Sequence, residues 1–119
     1  MGIATYLSRL NASIPSLVVS ELQFEGEWIG HYPGHFDEVV KIVQREDRLE
    51  AIKITGDDYV PAGAVTWRAS LRTLTGEGQI AEKEFVNPRF VPGTLTIVNP
   101  ERIVFHWENC GEVEFRKDE

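Results

Sequence analysis

Segments in which apolar and polar residues alternate one by one recur along most of this chain, and this period of two constrains its fold most strongly. The regular examples are 65–72, 102–108 and 112–116. Alternation of this kind is typical of a strand with one buried face. Less regular segments of the same kind cover 24–32, 38–45, 48–55, 78–86 and 94–99. The sequence therefore predicts about eight short strands.

Turn-forming residues separate the predicted strands. They are Pro33-Gly34, Glu46-Asp47, Gly56 to Gly63, Thr75-Gly76, Asn87-Pro88, Pro92-Gly93, Asn99-Pro100 and Asn109-Cys110-Gly111. Glycine, proline, asparagine and aspartate are the usual residues of such breaks. We therefore predict an all-β fold over residues 24–119, in which the strands form an antiparallel barrel or sandwich. We favour a roughly eight-stranded β-barrel of the lipocalin or calycin type. Closing the sheet into a barrel removes its exposed edges.

The first 23 residues follow a helical pattern instead. Apolar residues recur at helical spacing from Ile3 to Val18, and Pro15 interrupts them. Ser13 is a good N-cap just before a proline at a tolerated early position. We expect one or two short N-terminal helices, over about 3–11 and 14–22. A chain of 119 residues fits a single domain, so 1–23 is predicted to be a helical segment of that domain.

Aromatic residues are numerous enough to fill the predicted barrel. An eight-stranded barrel has an interior just wide enough for side chains or one small ligand. The candidates for that space are Trp28, Trp67, Trp107, Phe24, Phe85, Phe90, Phe105 and Phe115. We therefore expect a filled interior, with any ligand bound at a mouth of the barrel.

Composition and charge argue against several functions. The net charge is −7, and twelve basic residues are scattered among nineteen acidic ones, which disfavours a nucleic-acid partner because phosphate binding needs clustered Lys and Arg. No apolar run approaches the roughly 20 residues that span a bilayer, and no secretory signal is visible, so no membrane partner is expected. Cys110 is the single cysteine, which fits a reducing compartment. The expected location is intracellular, cytoplasmic or nuclear.

Neither a metal site nor a catalytic centre is predicted. The spacing of His31 and His35, with Asp37 and Glu38 nearby, superficially resembles a metal site, but Pro33-Gly34 places a bend between the histidines. No third convergent ligand is evident. Paired carboxylates occur on several segments, yet no base-activated nucleophile or phosphate-binding glycine pattern accompanies them. We therefore expect a protein that is not an enzyme and needs no cofactor.

The connection 53–63 is chemically richer than a plain turn. It places a lysine, a threonine, two aspartates and several backbone-bending residues between two predicted strands. Connections between adjacent strands are usually shorter. Gly56, Asp57 and Pro61-Ala62-Gly63 are also ordinary turn residues, which explains part of this composition. The remainder is typical of a rim loop that carries a binding site.

Lys53 is the residue that turn chemistry does not explain. On its predicted strand it shares a face with Leu49, Ala51 and Thr55, and it needs a partner if both faces are covered. Asp57 is close in sequence. A lysine donor beside an aspartate acceptor matches a ligand that both accepts and donates, such as a primary amide, whereas a free carboxylate is repelled by Asp57. A purely structural pairing of the two residues is the alternative.

Two stretches of the chain resemble the substrate-binding domain of the F-box only protein 31 family, a cyclin-D-binding domain. The run 28–40, with Trp28-Ile29-Gly30-His31-Tyr32, is similar to the opening of that domain. The run 49–69 is the most specific match, since it contains Lys53-Ile54-Thr55-Gly56-Asp57 and Val60-Pro61-Ala62-Gly63. The resemblance extends more loosely over 24–116. Fungal F-box proteins and the chloroplast EXECUTER proteins carry a related domain.

The resemblance implies a β-barrel that captures C-terminal segments of substrate proteins, including D-type cyclin tails and amide-ended chains, as the substrate receptor of a cullin–RING ubiquitin ligase. The implied binding residues are Lys53 and Asp57 for the terminal group, Thr55 and Pro61 for the frame of the pocket, and Tyr32 and Trp67 for its walls. The 22 N-terminal residues are too few for an F-box. Ligase components are therefore expected as partners only if an F-box lies outside this chain.

Two other functions remain open at the level of sequence. A lipocalin-like carrier of a small apolar ligand requires a hollow barrel, which the aromatic content disfavours. An EXECUTER-like stress-signalling domain in a plastid requires a transit peptide, and none is visible in this sequence.

Overall fold

The computed structural model describes residues 23–32 and 36–118, which form a closed antiparallel β-barrel. Each strand pairs with the next along the chain, and the last pairs with the first. The strands are β1 Gly26–His31, β2 Glu38–Arg45, β3 Arg48–Lys53, β4 Val65–Ser70, β5 Thr75–Glu82, β6 Val86–Asn99, β7 Arg102–Trp107 and β8 Gly111–Lys117, with a 3-10 turn at Lys83–Phe85. The predicted all-β barrel is confirmed, whereas the helices expected at 3–11 and 14–22 lie outside the described residues.

Side chains fill the barrel interior. Trp67 stacks on Phe105 with ring centroids 4.9 Å apart and 8° between the planes, and Phe115 meets Trp67 edge-on at 5.7 Å. The buried apolar residues are Phe24, Trp28, Val40, Ile42, Leu49, Ala51, Val60, Trp67, Ala69, Leu71, Leu95, Ile97, Ile103, Phe105, Trp107, Val113 and Phe115. Phe85 and Phe90 are only partly buried, so their expected place in the core is wrong.

Strand β6 is longer than the sequence pattern predicts. It runs through Asn87-Pro88 and Pro92-Gly93, so the turns predicted there are wrong. Before Gly93 this strand pairs with β5 alone, because its pairing with β7 begins at Gly93. Prolines are tolerated in such a half-paired stretch, since fewer backbone donors are needed. The turn predicted at Thr75-Gly76 is also wrong, because β5 already begins at Thr75.

An irregularity between β3 and β4 changes which residues face inward. Ala51 lies opposite Trp67 while Ile52 lies opposite Val65, so Thr66 is an extra residue in β4. A bulge of this kind bends a strand and redirects its side chains. Thr66 is 2% exposed, although the alternation along 65–72 places it on the polar side. The bulge therefore brings a hydroxyl into the barrel.

Because neighbouring strands are antiparallel, every second connection along the chain lies at the same end of the barrel. The β1–β2, β3–β4, β5–β6 and β7–β8 connections share this end, which we call the mouth. We define the mouth as these four connections and the two strand residues on either side of each. The long connection after Lys53 belongs to it.

The part of the chain that the structure describes contains no helix long and apolar enough to cross a membrane.

Candidate functional site

Lys53 is buried on the inner face of the mouth. Burial alternates along β3, so that Leu49, Ala51 and Lys53 share one face, as the sequence predicts, and this face points inward. The Lys53 side chain is only 1% exposed. The strand ends here rather than at Thr55, because the backbone of Lys53 closes the loop: its N–H donates to Ala64 O at 2.9 Å, and its carbonyl accepts from Gly63 N–H at 2.7 Å. The ammonium is thus held at a fixed depth.

Glu38 is a second buried charge, which the sequence patterns do not assign to this site. It is the first residue of β2 and continues the inward-facing row of Val40 and Ile42. Its Oε2 accepts a hydrogen bond from Lys53 Nζ at 2.9 Å, and its side chain is 6% exposed. Its Oε1 is buried and accepts no hydrogen bond from any residue that the structure describes. Extending the period of two backward from Ile42 is the signal that identifies this residue.

Asp57 shapes the loop and also completes the charge cluster. Its Oδ2 accepts from Lys53 Nζ at 3.0 Å, so the predicted pairing is present. Its Oδ1 accepts from the backbone N–H groups of Tyr59 and Val60, both at 2.7 Å. An aspartate that bonds the backbone two and three residues ahead is a common way of fixing a turn. Both of its oxygens therefore already have donors.

The cluster perturbs the pKa of each of its members. Burial raises the pKa of Glu38, and the hydrogen bond from Lys53 only partly opposes this. Burial also acts to raise the pKa of Asp57, but the N–H groups of Val60 and Tyr59 and the Lys53 ammonium lower it to about 2. Burial acts to lower the pKa of Lys53, but Tyr32, Glu38 and Asp57 outweigh it and hold this pKa above its ordinary value. The formal charge of the cluster, counted as two carboxylates and one ammonium, is −1.

Lys53 and Asp57 line an open depression of about 470 Å³ in the mouth, whereas their partner Glu38 does not line it. Tyr32 lies beside it, with Lys53 Nζ 4.5 Å from the ring centroid, a distance at which a cation is attracted to the ring face. Burial raises the pKa of the Tyr32 phenol. The opposite side of the depression is formed by Trp107 and by the β7–β8 turn with Cys110 and Glu112. The depression thus has charged groups at Lys53 and Asp57 and partly apolar walls.

The other residues implied by the family resemblance lie at different depths. Thr55 is exposed, and its Oγ1 accepts from Val39 N–H at 2.9 Å, which ties the loop to β2. Pro61 is exposed in the turn, where its carbonyl accepts from Ala64 N–H at 3.2 Å. Trp67 is fully buried in the core and does not line the depression. The structure thus brings Lys53, Asp57 and Tyr32 together and leaves Thr55, Pro61 and Trp67 outside their group.

Two further sequence features have ordinary surroundings. His31 Nδ1 lies 2.7 Å from Asp37 Oδ1 on the surface. Within residues 23–32 and 36–118, no group of three or more His, Cys, Asp or Glu residues is placed to hold a metal ion. Cys110 is exposed in the β7–β8 turn.

The fold and the site define a small closed barrel with one mouth built around a buried lysine between two carboxylates. The chain belongs to the family described as the Cyclin D1 binding domain, which it matches over residues 7–75 and 69–115. The described barrel lies within this matched region apart from its last residues.

The chain is also similar to two chloroplastic proteins. The chain is similar to the chloroplastic protein EXECUTER 2 of Oryza sativa subsp. japonica, with 29% identity over 114 residues covering 70% of this chain and 18% of the relative. It is 31% identical over 93 residues to the chloroplastic protein EXECUTER 1 of Arabidopsis thaliana, covering 62% of this chain and 13% of that protein. The chain thus spans less than a fifth of the length of these relatives.

Proposed function

We propose that this chain is a non-enzymatic protein-binding domain that captures the C-terminal end of a partner chain in its mouth. The family is described as binding a protein, cyclin D1. The observation that carries the proposal is the buried cluster of Lys53, Glu38 and Asp57, of which Lys53 and Asp57 line an open depression. The cluster combines a lysine donor with an unpaired acceptor, Glu38 Oε1, and its position inside a barrel mouth suits the end of an extended chain.

The preferred end is a primary carboxamide. Lys53 has three N–H donors, and Glu38 and Asp57 accept two of them. The third can donate to the carbonyl oxygen of a ligand. Glu38 Oε1, which has no donor among the described residues, can accept from the amide NH₂ group. Pairing both groups removes the penalty of a buried acceptor without a hydrogen bond. Glu38 therefore joins Lys53 as a binding residue in this proposal, while Asp57 holds the lysine and the loop.

A free carboxylate fits the same place less well. It would satisfy the Lys53 donor, but it would leave Glu38 Oε1 without a donor and bring a third carboxyl group to a buried cluster whose formal charge is already −1. Like charges brought together in a poorly hydrated place cost free energy. The amide form avoids both costs.

The resemblance to the substrate-binding domain of the F-box only protein 31 family extends the proposal to degradation. In this reading the domain is the substrate receptor of a cullin–RING ubiquitin ligase that recognises C-terminal degrons, in the cytoplasm or nucleus. The coupling requires an F-box elsewhere in the full protein or in a partner. The interior of the described barrel holds stacked aromatic rings rather than a carrier cavity, which argues against a lipocalin-like function.

The test compares two peptides that differ only at the end. A ten-residue peptide with a C-terminal carboxamide and its free-acid twin are titrated by fluorescence anisotropy. We expect the amide to bind at least about tenfold more tightly, which corresponds to about 1.4 kcal/mol. Glu38→Gln is expected to reduce the ratio of the two affinities, because the charged acceptor for the NH₂ group is lost.

Glu112→Gln is the matched control, since this carboxylate lines the same depression but is 66% exposed. It should leave the ratio unchanged. Equal affinity of the unmodified protein for both peptides would contradict the proposed terminal recognition.

A second function is favoured by the relatives. The EXECUTER proteins carry the word chloroplastic in their names and are about 30% identical to this chain in the matched region. The alternative is an EXECUTER-like signalling domain within a longer plastid protein. The full reading frame distinguishes the two, because an upstream F-box supports the first function and a plastid-targeting segment supports the second.

A further inference from the structure

Carboxylates are concentrated at the mouth of the barrel. Among the described residues, eight acidic residues lie in the mouth as defined above, against two lysines, Lys53 and Lys83. The acidic residues are Asp37, Glu38, Asp57, Asp58, Glu82, Glu84, Glu108 and Glu112. The mouth therefore accounts for −6 of the chain's net charge of −7.

The outer members of this group are not neutralised by any of the described residues. Asp58, Glu84 and Glu108 are exposed and make no ion pair with any residue that the structure describes. They lie on three different connections of the mouth; Glu84 N–H donates to Asp58 O at 2.6 Å, so these two residues are neighbours, and Glu108 lies on the β7–β8 connection. The opposite end differs, because the β2–β3 turn there mixes both signs in Arg45, Glu46, Asp47 and Arg48. The charge of the protein is thus segregated toward the mouth.

The exposed acidic residues of the mouth, which we call the rim, do not define a site by themselves. Two independent observations point to a ligand here. Glu38, 4% exposed, has an unpaired Oε1 and bonds through Oε2 to Lys53, which lines the depression inside this rim. The large exposed apolar residues of the described chain also lie at this end, with Phe36 92% exposed, Val86 54%, Tyr59 43% and Ile54 42%. Exposed apolar groups surrounded by charge are typical of a protein-binding surface.

We propose that the rim selects partner chains whose C-terminal end is preceded by lysine and arginine residues, with apolar side chains among them. The proposal rests on the capture of a chain end by the Lys53 cluster and names the class of chain that is captured. A peptide whose end reaches Lys53 must leave the depression across the rim, where its preceding residues pass Asp58, Glu84 or Glu108. Complementary charge there speeds association and selects against acidic chains.

The rim should also act at a distance, because its residues are exposed and share one sign. Exposed charges interact over about 10 Å at 0.1 M salt. The preference for basic chains should therefore weaken as salt is added. Contacts of apolar side chains with Phe36 and Tyr59 should persist, since salt does not screen them.

The experiment uses three amide-ended peptides of ten residues with the same last four residues. Three positions before those residues carry lysine, serine or glutamate. We expect the lysine peptide to bind about tenfold more tightly than the serine peptide at 25 mM salt, with the glutamate peptide weakest, and the spread should shrink to about threefold or less at 300 mM salt.

Two triple variants that remove the same charge at opposite ends of the barrel test whether the preference for the lysine peptide arises at the mouth. Asp58→Asn with Glu84→Gln and Glu108→Gln should abolish most of the spread. Glu46→Gln with Glu101→Gln and Asp118→Asn removes the same charge at the opposite end and should leave it intact. Equal loss in both triples would show that net charge alone acts, and it would overturn the proposal.

The two proposals fail in different ways. Binding that depends on the amide but not on the upstream charge overturns the rim proposal and leaves terminal recognition standing. Binding that follows upstream charge without any dependence on the terminal group, or no binding of any peptide, overturns both.

Discussion

Replacing Lys53 by methionine tests whether the buried cluster is held together by charge. Methionine has a similar length, so the change removes the ammonium with little loss of volume. Glu38, 6% exposed, would then be a buried carboxylate without its cation, and breaking a buried pair in this way costs roughly 3–5 kcal/mol. Asp57 is 25% exposed and keeps two backbone N–H donors, so its share is smaller. We expect Lys53→Met to lower the free energy of unfolding by about 3 kcal/mol at pH 7.

The loss should depend on pH in a defined direction. Without the ammonium, the pKa of Glu38 rises further in the folded state, because burial then acts unopposed by Lys53. A carboxyl with a raised folded pKa destabilises the protein as pH rises from its unfolded pKa through its folded pKa. The variant should therefore be closest to the unmodified protein near pH 4.5 and furthest from it near pH 8. Urea unfolding followed by tryptophan fluorescence at several pH values measures the difference.

The double variant Lys53→Met/Glu38→Gln provides the control. It removes both members of the pair, so it should recover at least about 1 kcal/mol of the loss seen in the single variant, as expected for directly coupled residues. A single-variant loss below about 1 kcal/mol at pH 8, unchanged at pH 4.5, would refute the view that Glu38 is charged and buried in the folded protein.

Two further predictions concern the loop and the core. Asp57 has a folded pKa of about 2, below its ordinary value, so its stabilisation is complete above about pH 4 and is lost as pH falls toward 2. Asp57→Ala should therefore cost about 2 kcal/mol at pH 7 by urea unfolding, and the deficit should shrink between pH 4 and pH 2.5; a constant deficit would contradict this. Trp28→Phe should cost more than Trp67→Phe in thermal unfolding, because Trp28 Nε1 donates to Phe24 O at 2.8 Å whereas the buried Trp67 Nε1 has no acceptor among the described residues. Equal losses of stability in the two variants would indicate that only the lost side-chain volume matters.

The number of strands and the face of Lys53 could be predicted from sequence because both depend on local alternation. Burial follows that alternation along β3, and the Lys53–Asp57 pair is only four residues apart. Thr66 could not be placed, because a bulge reverses its side and depends on the pairing of two strands. The place of Glu38 in the site was not predicted for a related reason. Its partner Lys53 is 15 residues away and is brought close by the β2–β3 register. The pairing of β2 with β3, which the loop sequence does not show, therefore makes Glu38 an acceptor for Lys53.

Both proposals depend on negative charge at the mouth, but the two binding preferences should respond differently to added salt. The buried cluster, with a formal charge of −1, disfavours an incoming carboxylate, whereas the exposed acidic residues of the rim favour cations upstream of the chain end. The cluster is buried, where added salt screens little, whereas the rim is exposed and screened. Raising the salt concentration should therefore leave the preference for the amide end nearly constant while the preference for basic upstream residues falls. Parallel loss of both preferences would mean that the terminal group is read at the rim and never reaches Lys53.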